Sequence, residues 1–345
     1  MKFAWLSEQL LNLGALAVAA GLMTAAPAVA QDTGKAAEAA KSSTEKDTLP
    51  DLPYGLTSFG AAVIGDDLYV YGGHKGEAHS YSFEEQNGKL LHLNLSGGKW
   101  QEIANGPHLQ GLAMVAHGGK LYRVGGFTAL NKEGEDRNLV SQDSVACFDP
   151  KTKTWKDLPA LPEPRSSHDA AVLGDALYVA GGWAMQGDGE SNWHDTAYVM
   201  DLTAAEPQWK PLPKTNFQRR ALSLAAHDGK LYAIGGMKPK GGPSTRVDIY
   251  DPKTGQWTEG PSIHGEGMEG FGTSAFAVDG RLYVSTIKGR LQRLSADGKS
   301  WEIADELADA RFFHRMLPYR GKLLMVGGAN MEIGKFTHLD LVPAK

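Results

Sequence analysis

Six times along the chain a short apolar run follows a turn dipeptide, and five of these runs end in a diglycine. The runs are Leu68–Tyr71, Leu121–Val124, Leu177–Ala180, Leu231–Ile234, Leu282–Ser285 and Leu323–Val326. They are short and rich in β-branched and aromatic residues, which reads as strand rather than helix. Before them stand Gly65-Asp66, Gly118-Gly119, Gly174-Asp175, Asp228-Gly229, Asp279-Gly280 and Arg320-Gly321. Such pairs supply the positive φ of a tight hairpin turn, so each run is the second strand of a hairpin. The diglycines Gly72-Gly73, Gly125-Gly126, Gly181-Gly182, Gly235-Gly236 and Gly327-Gly328 let the backbone leave the sheet where no Cβ fits. Ser285-Thr286 is placed at the same point of the fifth copy. A third strand then ends at Asp149-Pro150 or Asp251-Pro252 in two copies, and a fourth carries Trp100, Trp155, Trp209, Trp257 or Trp301. A regularly repeated aromatic is expected to pack between neighbouring copies.

A period of about 50 residues signals a propeller or array. Diglycine followed by spaced aromatic positions, recurring six times over residues 46–341, resembles the kelch repeat. The resemblance implies an all-β fold: a six-bladed kelch-type β-propeller with four antiparallel strands per blade. The blades are expected at about residues 54–104, 108–159, 163–213, 217–261, 268–305 and 310–341 of one domain spanning 46–345. The sixth copy runs out after its third strand. Thr48-Leu-Pro-Asp-Leu-Pro53 matches Asp157-Leu-Pro-Ala-Leu-Pro162, so residues 42–48 are expected to supply the missing strand and close the ring. Closure would remove the sheet edges that invite aggregation.

Composition narrows the address and the partners. Lys2, the apolar stretch from Leu10 to Met23, and Ala28-Val29-Ala30 before Gln31 read as a secretory signal peptide over residues 1–30. Residues 31–45 are polar and without apolar periodicity, a flexible leader. The expected destination is periplasmic or extracellular. A net charge of -5 with both signs interspersed argues against a nucleic-acid partner. Past the N-terminal segment no apolar run is long enough to span a membrane. The single Cys147 allows no internal disulfide, and a monomer is expected.

Candidate chemistry sits where the loops enter each first strand. Sixteen residues before the diglycines stand Leu56, Leu109, Arg165, Arg219, Glu269 and Arg311; thirteen before stand Phe59, Leu112, His168, Leu222, Gly272 and His314. Arg220 and Glu266 lie beside this set. Guanidinium forks gathered at a channel mouth suit a carboxylate-bearing ligand; alternatively they satisfy backbone carbonyls within the repeat. The third copy adds Trp183, Trp193 and His194 in the loop after its diglycine, outside the repeat register, where a sugar or peptide could stack. Loops after the diglycines are long in copies one and two and almost absent in copy five, so the rim should be high on one side and open above blade five.

Three readings of function follow. The first is a non-catalytic binding module for a glycan or a protein partner on the loop face, with no cofactor and no metal. The second is a sugar-acting enzyme like the secreted bacterial sialate mutarotases, which this chain resembles in fold, size and export. There Glu269 or Glu266 would act as acid/base beside Arg219 or Arg311. The third, a copper radical oxidase, needs a Cys joined to Tyr, and Cys147 lies on the third strand of blade two, away from the channel.

Overall fold

A computed structural model describes residues 49–345; the expected signal peptide, the expected leader and the expected closing strand 42–48 lie outside the described residues. Each repeat folds as expected into one antiparallel sheet. Blade one consists of Gly60–Ile64, Asp67–Tyr71, Lys89–Asn94 and Gln101–Asn105, paired in sequence order. Blades two to five repeat this order from Ala113, Asp169, Ser223 and Ser274. Blade six has three strands among the described residues, Arg315–Tyr319, Lys322–Val326 and Asp340–Pro343. First strands of successive blades contact one another around the axis, the sixth against the first.

The core is not one mass but six clusters, one at each seam. Ala62, Tyr69 and Tyr71 of blade one pack with Met114, Leu121 and Phe148 of blade two, and the other seams follow the same scheme. All five repeat tryptophans lie in these seams. Four of them also donate Nε1–H to a proline carbonyl of the preceding blade: Trp209 to Pro159, Trp257 to Pro213, Trp301 to Pro261, and Trp100 to Pro50. Trp155 is the exception. Its carbonyl, on Pro107, is taken by the Tyr71 hydroxyl at 2.7 Å.

Pro50 thus holds the place that a residue after the fourth strand holds elsewhere. Leu52 N–H bonds the Thr337 carbonyl, and Leu49 and Leu52 join the seam between blades six and one.

The diglycines join blades rather than merely end strands. Gly126 N–H bonds the Arg165 carbonyl of the next blade at 2.8 Å. A Cβ on Gly125 would come within 2.4 Å of that same carbonyl oxygen. Just beyond lies a ring of six left-handed residues, Ser58, Gly111, Ser167, Ala221, Gly272 and Phe313. Each donates its N–H to the carbonyl of the previous one, and Ser58 donates to Phe313, so the circuit closes on itself.

This ring corrects the register of the fifth repeat. Gly272 belongs fourteen residues before Thr286, so Thr286, not Ser285, is the counterpart of the first glycine. Gly270 therefore stands in the arginine slot, where its carbonyl accepts Gly236 N–H, and Thr273 replaces Gly272 in the histidine slot. The slip has a physical reason. Blade five turns straight back through Thr286–Arg290, with Gly289 N–H on the Thr286 carbonyl, and needs no positive-φ pair to leave the sheet.

Candidate functional site

The three arginines of the expected cationic mouth do not converge on it. Arg165, Arg219 and Arg311 are at most 1 % exposed, each enclosed within its own blade. Each donates Nη1 to the carbonyl of its own first glycine: Gly181 at 2.6 Å, Gly235 at 2.7 Å and Gly327 at 3.2 Å. Each also meets a carboxylate, Glu163 for Arg165, Asp248 for Arg219 and Asp340 for Arg311. Phe217 and Phe336 cover the flat faces of Arg219 and Arg311. Burial pushes the Arg165 and Arg219 pKa down to about 10, opposed by their carboxylates, so both stay charged at neutral pH. Such pairs cost heavily if one partner is removed. They fix the loops rather than await a ligand.

His168 and His314 are buried likewise, 3 % exposed. His314 shares a 2.6 Å hydrogen bond with Ser285 of blade five. Glu269 is fully buried and paired to Arg290 at 2.8 Å, with its second carboxylate oxygen unpartnered; Glu266 is exposed. These residues are not assembled into an acid/base pair with Arg219 or Arg311, each of which has its own acidic partner.

The tryptophans are brought together. Trp183 and Trp193 pair across a two-stranded hairpin, rings 5.3 Å apart and edge to face. The Arg220 guanidinium lies over Trp183 at 4.3 Å and over Trp193 at 5.6 Å from the ring centre. Arg220 is the neighbour of buried Arg219, and alternation along an extended segment sends the two side chains opposite ways. Among the described residues Arg220 has no carboxylate within ion-pair distance; its one bond is to the Met237 sulfur at 3.3 Å. Burial lowers its pKa and the Tyr81 hydroxyl partly offsets this. A guanidinium held on an indole face keeps its N–H donors free for an acceptor in its plane. His194, next along, turns away into the seam between blades two and three.

The expected high wall is present. Gln86 of blade one bonds Phe127 O and Ala129 N of blade two, and the blade two hairpin continues onto blade three through Val140 and Gln186. Tyr81 joins that wall, packed on Phe127. Across the mouth Phe271, Phe312 and Phe313 cluster at 4.9–6.1 Å. Below, Arg315 crosses the axis. It bonds Phe59 O of blade one, Leu112 O of blade two and Asp169 of blade three at 2.9 Å. Asp169 in turn accepts Leu224 N–H of blade four. Sequence reading missed this bolt, though a signal existed. At its repeat position the other copies hold Gly60, Ala113, Asp169, Ser223 and Ser274, and a lone Arg among them has room to reach only across the channel.

Comparison with known proteins agrees with this architecture. The family described as the KLHDC2/KLHL20/DRC7 Kelch-repeats domain matches residues 37–182 and 111–328. Kelch-like protein 35 of Mus musculus is 27% identical over 68% of this chain and 36% of its own length. Kelch-like protein 33 of Homo sapiens is 37% identical over 39% of this chain and 23% of its own. The chain thus spans about a third or less of these relatives. An N-(sulfonatooxy)prop-2-enimidothioate sulfolyase of Thlaspi arvense is 28% identical over 70% of this chain and 72% of its own. The solved structure of YjhT aligns with a TM-score of 0.69 at 18% identity, over 86% of this chain and 97% of that one, a likeness of fold alone. With six blades, five of them carrying the diglycine, and this match along most of its length, the chain belongs to the kelch-repeat family.

Proposed function

We propose that this kelch propeller is an exported binding module that takes a carboxylate-bearing partner, a protein segment before a glycan, at the loop-face mouth of its channel. Arg220 over Trp183 carries the reading, because it is charged, half-buried and without an acidic partner among the described residues. The kelch-like names of several relatives favour a protein partner. The Trp183–Trp193 edge and the phenylalanine cluster would flank the bound group and keep water from the ion pair. For the enzyme reading, Glu269 is paired to Arg290 rather than set beside Arg219 or Arg311.

Tryptophan fluorescence tests the site with short peptides that carry Asp or Glu beside an aromatic residue, against their Asn or Gln counterparts and a free uronate. The acidic peptides should bind best, and Arg220→Ala should weaken them by about 1.5–3 kcal/mol, the value of a hydrogen bond to a charged group. Equal binding by Arg220→Ala, or by the amide peptides, would remove Arg220 from the site. Export rests on residues 1–30, and the secreted chain should begin at Gln31 on N-terminal sequencing. A start at Met1 would overturn export.

A further inference from the structure

A second site lies away from the mouth, in the seam between blades two and three. A cleft of about 500 Å³ opens there, lined by Val140, Pro162, Pro164, Ala184 and Met185 on its apolar walls, and by Glu163, Gln186, Asn192 and His194. His194 is 2 % exposed. Its Nε2 stands 3.0 Å from the Pro164 carbonyl, which can only accept, so Nε2 carries the proton. Burial, then the charge of Arg165, push its pKa down to about 4, so at neutral pH Nδ1 is a bare lone pair. That lone pair faces Glu163 Oε2 at 3.5 Å.

Glu163 is itself a charged acceptor. Burial would raise its pKa, but hydrogen bonds from Thr196 and Tyr198 and the charge of Arg165 hold it below the usual value. All of its bonds fall on Oε2: from Arg165 at 3.3 Å, Thr196 at 2.6 Å and Tyr198 at 3.0 Å. Oε1 is left to the cleft. Arg165 does not bond it: Nη1 is held by Gly181 O and Thr196 O, Nη2 by Glu163 Oε2 and Thr196 Oγ1, and Nε reaches no acceptor. Two acceptors that line the cleft, one of them anionic, therefore receive no hydrogen bond from the described residues.

We infer that this cleft binds a primary ammonium on an apolar stem, the side chain of a lysine presented by a partner protein. The choice among cations follows from geometry. A guanidinium wants both oxygens of a carboxylate in its fork, and Oε2 is occupied; an ammonium is a compact charge with three donors in a tetrahedral set. One proton serves Glu163 Oε1, one serves His194 Nδ1, and the third reaches an amide oxygen of Gln186 or Asn192. A hydroxyl has one proton for two acceptors. The stem's methylenes lie on Val140, Ala184 and Met185, as a lysine stem covers apolar surface elsewhere.

The test is NMR titration of the protein with Nα-acetyl-lysine methylamide, and with the norleucine analogue that lacks the ammonium. The imidazole nitrogens of His194 and the amides of Val140, Gln186 and Asn192 are followed. The lysine compound should produce saturable shifts at these groups, with His194 Nδ1 moving in the sense of hydrogen-bond acceptance, and norleucine should not. Glu163→Gln should weaken binding tenfold or more. Because Glu163 also holds Thr196 and Tyr198, Asn192→Trp provides a second variant, filling the cleft from its exposed rim with no change to those bonds; it too should abolish the shifts. Arg220→Ala should bind the lysine compound as the parent does, which separates this site from the mouth. No saturable shift, equal binding of norleucine, or undiminished binding by Asn192→Trp would each overturn the inference and leave the cleft to water.

Discussion

Three of the buried histidines tie the stability of this propeller to pH. His168, His194 and His314 are each at most 3 % exposed. Burial, aided in each case by arginine charge, depresses all three pKa values: His194 to about 4, His314 to about 3 and His168 well below 6.5. The unfolded chain takes up these protons near the ordinary value of 6.5. Between that pH and the folded pKa values it binds more protons than the native state, so stability falls as pH falls. The contribution is fully present above about pH 6.5 and is lost progressively on acidification toward pH 3–4. Each histidine adds a slope of about 1.4 kcal/mol per pH unit within its window. Urea melts across this range should show the decline, with His314→Gln flatter by roughly one histidine's slope. Identical slopes in parent and variant would show that His314 does not titrate with unfolding.

At the scale of elements, the strand expected from residues 42–48 decides whether blade six is completed. Its neighbours are in place: Pro50 accepts Trp100 as Pro159 accepts Trp209, and Leu49 packs in the seam beside Leu341. Removing residues 31–49 should therefore strip the outer edge of blade six and lower the melting temperature by about 10 °C, several kcal/mol for a domain of this size. A melt that does not move would show that the ring does without this strand. The strands themselves were legible from the chain. Second strands, turns and tryptophans stand where spacing put them, because each is tied to a local requirement, a positive φ or a seam to fill. Blade five was read one residue out of register because Thr286-Ile287 carries no glycine to mark the place. The backbone there turns back within Thr286–Arg290 with a single positive-φ residue, Gly289, in place of the left-handed pair, and composition holds no trace of that.

At the scale of the whole molecule, the site was legible in part. Trp183 and Trp193 stood out by lying outside the repeat, and the structure pairs them. The arginines stood out by lying inside it, and for that reason they serve the blades: a residue repeated at a fixed distance from a glycine is bonded to that glycine's carbonyl. What a single repeat cannot reveal is reach across the ring. Arg315 and Asp169 sit far apart in the chain and meet only when six blades surround one axis.

The closed circuit of six backbone hydrogen bonds has a further consequence for how such a mouth can evolve. Every peptide N–H of Ser58, Gly111, Ser167, Ala221, Gly272 and Phe313 is committed to its neighbour. The inner lip therefore offers a visitor no main-chain donor from these residues, unlike the amide-lined cradles that bind phosphate. Of the side chains one residue earlier, Thr57, Gln110 and Ser166 are buried, whereas Arg220, Phe271 and Phe312 are half-buried. These last three set cationic and aromatic chemistry on one repeating backbone. Selection can rewrite them one blade at a time while the circuit beneath keeps its shape, so ligand choice and folding are encoded in adjacent but separate letters of the same repeat.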